Sequence, residues 1–112
     1  MTVDLTGGDV TVATVSGELD SVSSGFLSRH LEAAVAARPH ALILDFAAVG
    51  FCSAAVLRVL VETTAAADSA GVRWALVSDH RAVLRPIELT GLEVSLHPLP
   101  TVAAARQWLT AA

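Results

Sequence analysis

Lysine is absent from this chain, and so is tyrosine. All seven basic residues are arginines, scattered from Arg29 to Arg106. No basic stripe exists, so nucleic acid is not an expected partner. The single cysteine excludes an internal disulfide and any site built on several cysteines. Long apolar runs are missing, which excludes membrane insertion. Met1-Thr2-Val3-Asp4 lacks the basic and apolar regions of a secretion signal, and a cytoplasmic protein is expected.

What is present points to a globular α/β domain. The 112 residues suit a single domain spanning 1–112, large enough to bury a core. Hydrophobic residues make up 54% of the chain, but many are alanines, which favour helix. No repeat, linker or low-complexity tract divides it.

The apolar spacing lays out the elements in order. Val3–Leu5 is a short strand, Gly7-Gly8-Asp9 a hairpin turn, and Val10, Val12 and Val15 mark a second strand. Gly17-Glu18-Leu19-Asp20 ends that strand. Ser21–Ser24 supply helix caps, and Phe26, Leu27, Leu31, Ala34 and Val35 recur near the helical period. Arg38-Pro39 stops the helix. Ala41–Leu44 is apolar on both faces and reads as a central strand, with Phe46–Gly50 as a connection. Ser53–Ala70 is a second helix, with Val56, Leu57, Leu60 and Val61 inward and Gly71 as its stop.

Val72–Val77 is the next strand. Ser78-Asp79-His80 caps a third helix that ends at Thr90-Gly91-Leu92. Pro86 should split that helix or delay its start to about Arg85. Val94–Leu96 reads as a last brief strand, and Thr101 caps a final helix, Val102–Ala112. The order ββαβαβαβα implies a mixed central sheet with helices packed over it. Trp74 and Trp108 are both expected in or near the core.

The stretch Ala41–Leu60 carries the chemistry. A strand ends at Asp45, a connection follows, and Phe51-Cys52-Ser53-Ala54-Ala55-Val56-Leu57 opens a helix. Strand-to-helix junctions are where α/β proteins place functional groups. This stretch resembles the signature of the STAS domain, the fold of bacterial anti-sigma factor antagonists, whose motif reads Phe-apolar-Asp-Ser-Ser-Gly-Leu. Gly17-Glu18-Leu19-Asp20 is similar to the Gly-Glu-Leu-Asp of that family, and Leu84 through Leu92 to its Leu-Thr-Gly-Leu corner. Together the three patterns cover nearly the whole chain.

The resemblance implies an α/β STAS fold and a protein-binding role without catalysis or cofactor. The implied partner is an anti-sigma factor of the ATP-binding serine kinase type. Sequestering it would release a sigma factor for transcription. In the family the second motif serine is phosphorylated. Here that position is Ala55, which cannot carry phosphate, and Ala54, Ser53 and Val56 replace the family's first serine, aspartate and glycine. A phosphate adds about −1.5 to −2 charge at a helix N-terminus, where the helix dipole accommodates it. Without the hydroxyl, the switch is expected to be locked in its unphosphorylated, binding-competent form. The implied contact surface comprises Asp20, Ser21, Ser53, Ala54, Ala55 and Arg58. An alternative keeps the same fold as a scaffold module of a transporter or stressosome-like complex. Homodimerisation stays open.

Other groups have plainer readings. Ser53 is expected to cap the second helix through its hydroxyl, and its use as an alternative phosphosite stays open. Cys52 reads as a small buried apolar residue rather than a redox handle. Glu18 and Asp20 share a face, but no nucleophile or metal ligand accompanies them. His30, His40, His80 and His97 are scattered, and no metal site is expected.

Overall fold

The Gly7-Gly8 turn closes a hairpin in the computed structural model, which describes residues 1–110. Gly8 has φ of 123°, a conformation that L side chains avoid. The turn joins β1 (Thr2–Thr6) to β2 (Val10–Leu19) in an antiparallel pair. After α1 (Ser23–Ala36) comes β3 (Ala41–Cys52), parallel to β2. After α2 (Ala54–Ala70) comes β4 (Arg73–Val77), parallel to β3. The sheet order is β1-β2-β3-β4. Three helices follow: α3 (Arg81–Leu89), α4 (Glu93–Leu96) and α5 (Val102–Thr110).

Alternation along the strands sorts the core into two layers. Ala13, Val15, Leu42, Leu44 and Leu76 face α1, α2 and α3, meeting Leu27, Leu31, Val56, Leu60, Val83 and Ile87. Val12, Ile43, Ala75 and Val77 face the other way and meet Ala105 and Leu109 of α5. The run Ala41–Leu44 is buried on both faces, as its composition requires. The α/β fold is therefore a mixed four-stranded sheet between helices.

Several local expectations change. Phe46–Gly50 is not a connection but the second half of β3. Phe46 and Val49 are fully buried, and their spacing of three breaks the strand period. Register shifts between Thr14 and Ser16 and between Gly17 and Glu18 absorb the break. Gly17-Glu18-Leu19 forms the last residues of β2, which ends at Leu19 with Asp20 just beyond it.

Val94–Leu96 lies in the helical turn α4, not in a strand. The fifth place in the sheet is held by a lone parallel bridge, Val77 to Leu99. There the Ser78 N–H donates to the Leu99 carbonyl at 2.9 Å, and the Leu99 N–H to that of Leu76 at 2.8 Å. Pro98 and Pro100 flank Leu99 and have no N–H to donate, so the ladder cannot lengthen.

Helix α3 is unbroken and starts at Arg81, despite Pro86. Its start is fixed by caps: the Ala82 N–H donates to His80 Nδ1 at 3.1 Å, and the His80 N–H to Ser78 Oγ at 3.2 Å. Pro86 forgoes only the bond to the Ala82 carbonyl, one turn inside a short helix. In α2, Val61 is exposed, and Val59 and Thr63 occupy the inward positions beside Val56, Leu57 and Leu60. Gly71 closes α2 in the left-handed conformation, with φ of 70°. Phe26 is exposed, its ring 4.3 Å from that of His30. Trp108 also lies outside the core, stacked on His97 at 5.1 Å. The expected last two residues of the final helix, Ala111 and Ala112, lie outside the described residues.

Candidate functional site at the start of α2

The parallel pairing of Leu19 with Cys52 delivers Asp20 and Ser53 side by side at one end of the sheet. The Ser53 N–H ties the two chain segments together by donating to the Leu19 carbonyl at 2.9 Å. From there α2 rises, anchored by Val56 and Leu57, both buried. Its first turn presents Ala54 outward, with Ala55 half-buried beside it. Arg58, one turn on from Ala54, is exposed on the same helix face.

Ser53 occupies the N-cap position, with φ −77° and ψ 166°, but not in the expected way. Its carbonyl accepts from the N–H groups of Val56 and Leu57, both at 3.1 Å. Its hydroxyl makes no capping bond. That oxygen is buried and has no hydrogen-bond partner among the described residues. The expected side-chain cap is therefore replaced by a backbone one, and the hydroxyl carries a desolvation cost without a compensating bond.

Asp20 turns toward α1. Its Oδ1 accepts from both the N–H and the hydroxyl of Ser23, each at 3.0 Å. The Ser23 N–H, then its hydroxyl, hold the Asp20 carboxyl below its ordinary pKa of 3.8. Ser21 contributes its carbonyl, which accepts from the Ser24 hydroxyl at 2.7 Å. Glu18 has different surroundings: its Oε1 would stand 2.9 Å from a Cβ added at Gly50. The structure thus gives Glu18 and Asp20 separate tasks and does not join them as an acid/base pair.

Cys52 is buried, and burial pushes its thiol up to about 11. The thiolate is scarce near neutral pH, in keeping with a structural side chain. The histidines stay apart. His30 Nδ1 lies 3.0 Å from the Phe26 carbonyl, His80 caps α3, and His97 stacks on Trp108. Among the described residues no group of three or more His, Cys, Asp or Glu is placed to hold a metal ion. Nor is any helix among them long and apolar enough to cross a membrane.

Two large apolar side chains were not foreseen here. Val22, in the turn after Asp20, is 87% exposed, and Phe51, at the end of β3, is 47% exposed. Phe51 also lines an open depression of about 480 Å³ with Arg81, Arg85, Pro86 and Leu89 of α3. Val22 sits among serines, and Phe51 lies near the end of a strand whose other aromatic, Phe46, is fully buried. Composition therefore gave no sign that either would face solvent.

Comparison with known proteins places these features in a group. A family model described as "STAS domain" matches residues 3–105. The anti-sigma-F factor antagonist RsfB of Mycobacterium tuberculosis is 29% identical over 93 residues, which cover 83% of this chain and 75% of that protein. The crystal structure of an anti-sigma factor antagonist from Mycobacterium paratuberculosis superposes with a TM-score of 0.89 at 33% identity, covering 96% of this chain and 92% of that one. Unphosphorylated SpoIIAA, also an anti-sigma factor antagonist, shares the fold, with a TM-score of 0.80 at 15% identity, over 99% of this chain and 98% of that one.

Proposed function

The chain belongs to the STAS domain family, and from that premise we propose that it is an anti-sigma factor antagonist that acts by binding, in the cytoplasm. It sequesters an anti-sigma factor and so releases a sigma factor for transcription. The observation that carries this reading is the start of α2. Small side chains at Ala54 and Ala55 stand beside Asp20 on a rim held in shape by the Ser53–Leu19 bond. A partner backbone can approach such a surface closely. The names of the mycobacterial relatives support the same role. The alternative, a scaffold module of a transporter or stressosome-like complex, draws on the fold alone.

The contact surface is assigned to Asp20, Ser21, Ser53, Ala54, Ala55 and Arg58, with Val22 and Phe51 as apolar anchors. Exposed apolar side chains rimmed by polar ones are the usual make-up of such patches. The partner is an anti-sigma factor of the ATP-binding serine kinase type. Ala55 leaves that kinase no hydroxyl at the family's phosphorylation position, so the complex persists in the presence of ATP.

The test is to mix the chain with candidate kinase-type anti-sigma factors and labelled ATP, and to follow both complex formation and phosphate incorporation. Stable binding without incorporation is expected, and Ala54→Ser with Ala55→Ser should gain label. Phosphate on Ser53 of the unaltered chain would overturn the locked state. Absence of binding to every candidate would overturn the role.

A further inference from the structure

A second concave site lies at the other end of the molecule. There the last turn of α2 and the first residues of β4 meet α4 and α5. The cavity measures about 430 Å³ and is lined by Asp68, Gly71, Arg73, Trp74, His97 and Trp108, among others. That volume falls within the range of small-molecule sites, roughly 300–1,000 Å³. Both tryptophans of the chain line it. The site lies at the far end of α2 from Ser53, about 25 Å along a helix of 17 residues.

Two features set the cavity apart from a packing gap. Trp108 is 42% exposed, and its indole stacks on the His97 imidazole at an interplanar angle of 26°. His97 takes φ of 43° and ψ of 61°, a left-handed conformation that costs energy for a residue with a side chain. The strained residue thus supports an exposed aromatic wall instead of filling a core. The charges differ in sign around the same space: Asp68 and Arg73 are both exposed and both line it. The C-terminal end of α2, with its partial negative charge, adds to the Asp68 side.

We propose that this cavity binds a small aromatic zwitterion of the amino-acid type. Its ring lies against the indoles, its carboxylate meets the Arg73 guanidinium, and its ammonium meets Asp68 and the end of α2. Guanidinium matches carboxylate in shape and charge. An ammonium is favoured at a helix C-terminus. A flat ring gains from offset stacking on indole.

Because both tryptophans line the site, their fluorescence reports on it directly. The full chain is titrated with L-phenylalanine, 3-phenylpropanoate, phenethylamine and 3-cyclohexylalanine, with excitation at the tryptophan band. L-Phenylalanine should give a saturable change. Each of the other three, lacking the ammonium, the carboxylate or the aromatic ring, should bind about tenfold more weakly or worse, as loss of a charge-assisted bond or of ring stacking implies. Arg73→Gln should weaken L-phenylalanine by a similar factor and leave phenethylamine unchanged. Asp68→Asn should do the reverse with 3-phenylpropanoate. Both side chains are exposed, so the variants retain the fold, which circular dichroism verifies. No saturable response to L-phenylalanine overturns the proposal. So does equal binding of 3-cyclohexylalanine, or a variant that weakens all four compounds alike. None of these outcomes bears on anti-sigma factor binding at the opposite end.

Discussion

Ser53→Ala separates two accounts of the helix start that differ in sign. If the hydroxyl capped α2, its removal would cost about 1 kcal/mol. In the structure the oxygen is buried and without a hydrogen-bond partner among the described residues, while the Ser53 carbonyl accepts from the Val56 and Leu57 N–H groups. A buried polar group without a partner costs about 1–3 kcal/mol, and truncation to alanine removes that cost along with the oxygen. The small void left by the oxygen, which the neighbours fill only in part, offsets some of the gain. Ser53→Ala should therefore raise stability by about 0.5–1 kcal/mol, some 1.5–2 kcal/mol above the outcome that capping requires. Urea unfolding followed by tryptophan fluorescence resolves such a gap, provided the slope with denaturant stays constant. A loss of about 1 kcal/mol, with that slope unchanged, would refute the reasoning. It would mean that the hydroxyl does meet a backbone N–H in solution.

Two further outcomes follow from burial. Phe46→Ala removes the largest fully buried side chain and should destabilise the chain by about 3–5 kcal/mol in the same urea assay. Cys52 should resist alkylation in the folded chain: with its thiol at about 11 against an ordinary 9.0, its thiolate at pH 8 is about a hundredfold scarcer. The raised value also means that the folded chain holds this proton more tightly. The associated stability is present below pH 9 and is lost as pH rises through about 11. Rapid labelling at pH 8 by a thiol reagent, without unfolding, would contradict the buried environment.

The sequence carries the frame of this protein more clearly than its surface. The two-sided apolar run at Ala41–Leu44, the Gly71 stop and the Gly7-Gly8 turn are each set by local chemistry, and each is found where that chemistry puts it. The start of α1 was legible only in part: the Ser21–Ser24 run marks it, but the side chain that takes up the Ser23 N–H is that of Asp20. The second half of β3 was not, because Ala47, Ala48 and Gly50 lack strand character, and the pairing with β2 carries the strand on through Ala48, Val49, Phe51 and Cys52 only by shifting register past Ala47 and Gly50. Pro86 signalled a break that the His80 cap and the Thr90 hydroxyl, bonded to the Pro86 carbonyl at 2.7 Å, outweigh. Val22, Phe51 and Trp108 were illegible because exposure of an apolar side chain is decided by which neighbours the fold brings, not by its own identity.

The sheet changes width along its length. β4 stops opposite Asp45, while β2 and β3 run on together to Leu19 and Cys52. The start of α2 is thus mounted on a two-stranded cantilever that overhangs a broader base. Among the described residues β3 has a ladder neighbour on one side only along that overhang, and the pairing with β4 ends before it begins. Leu19, Phe46 and Val49 on that overhang are fully buried, so the start of α2 projects past β4 while its footing stays in the core.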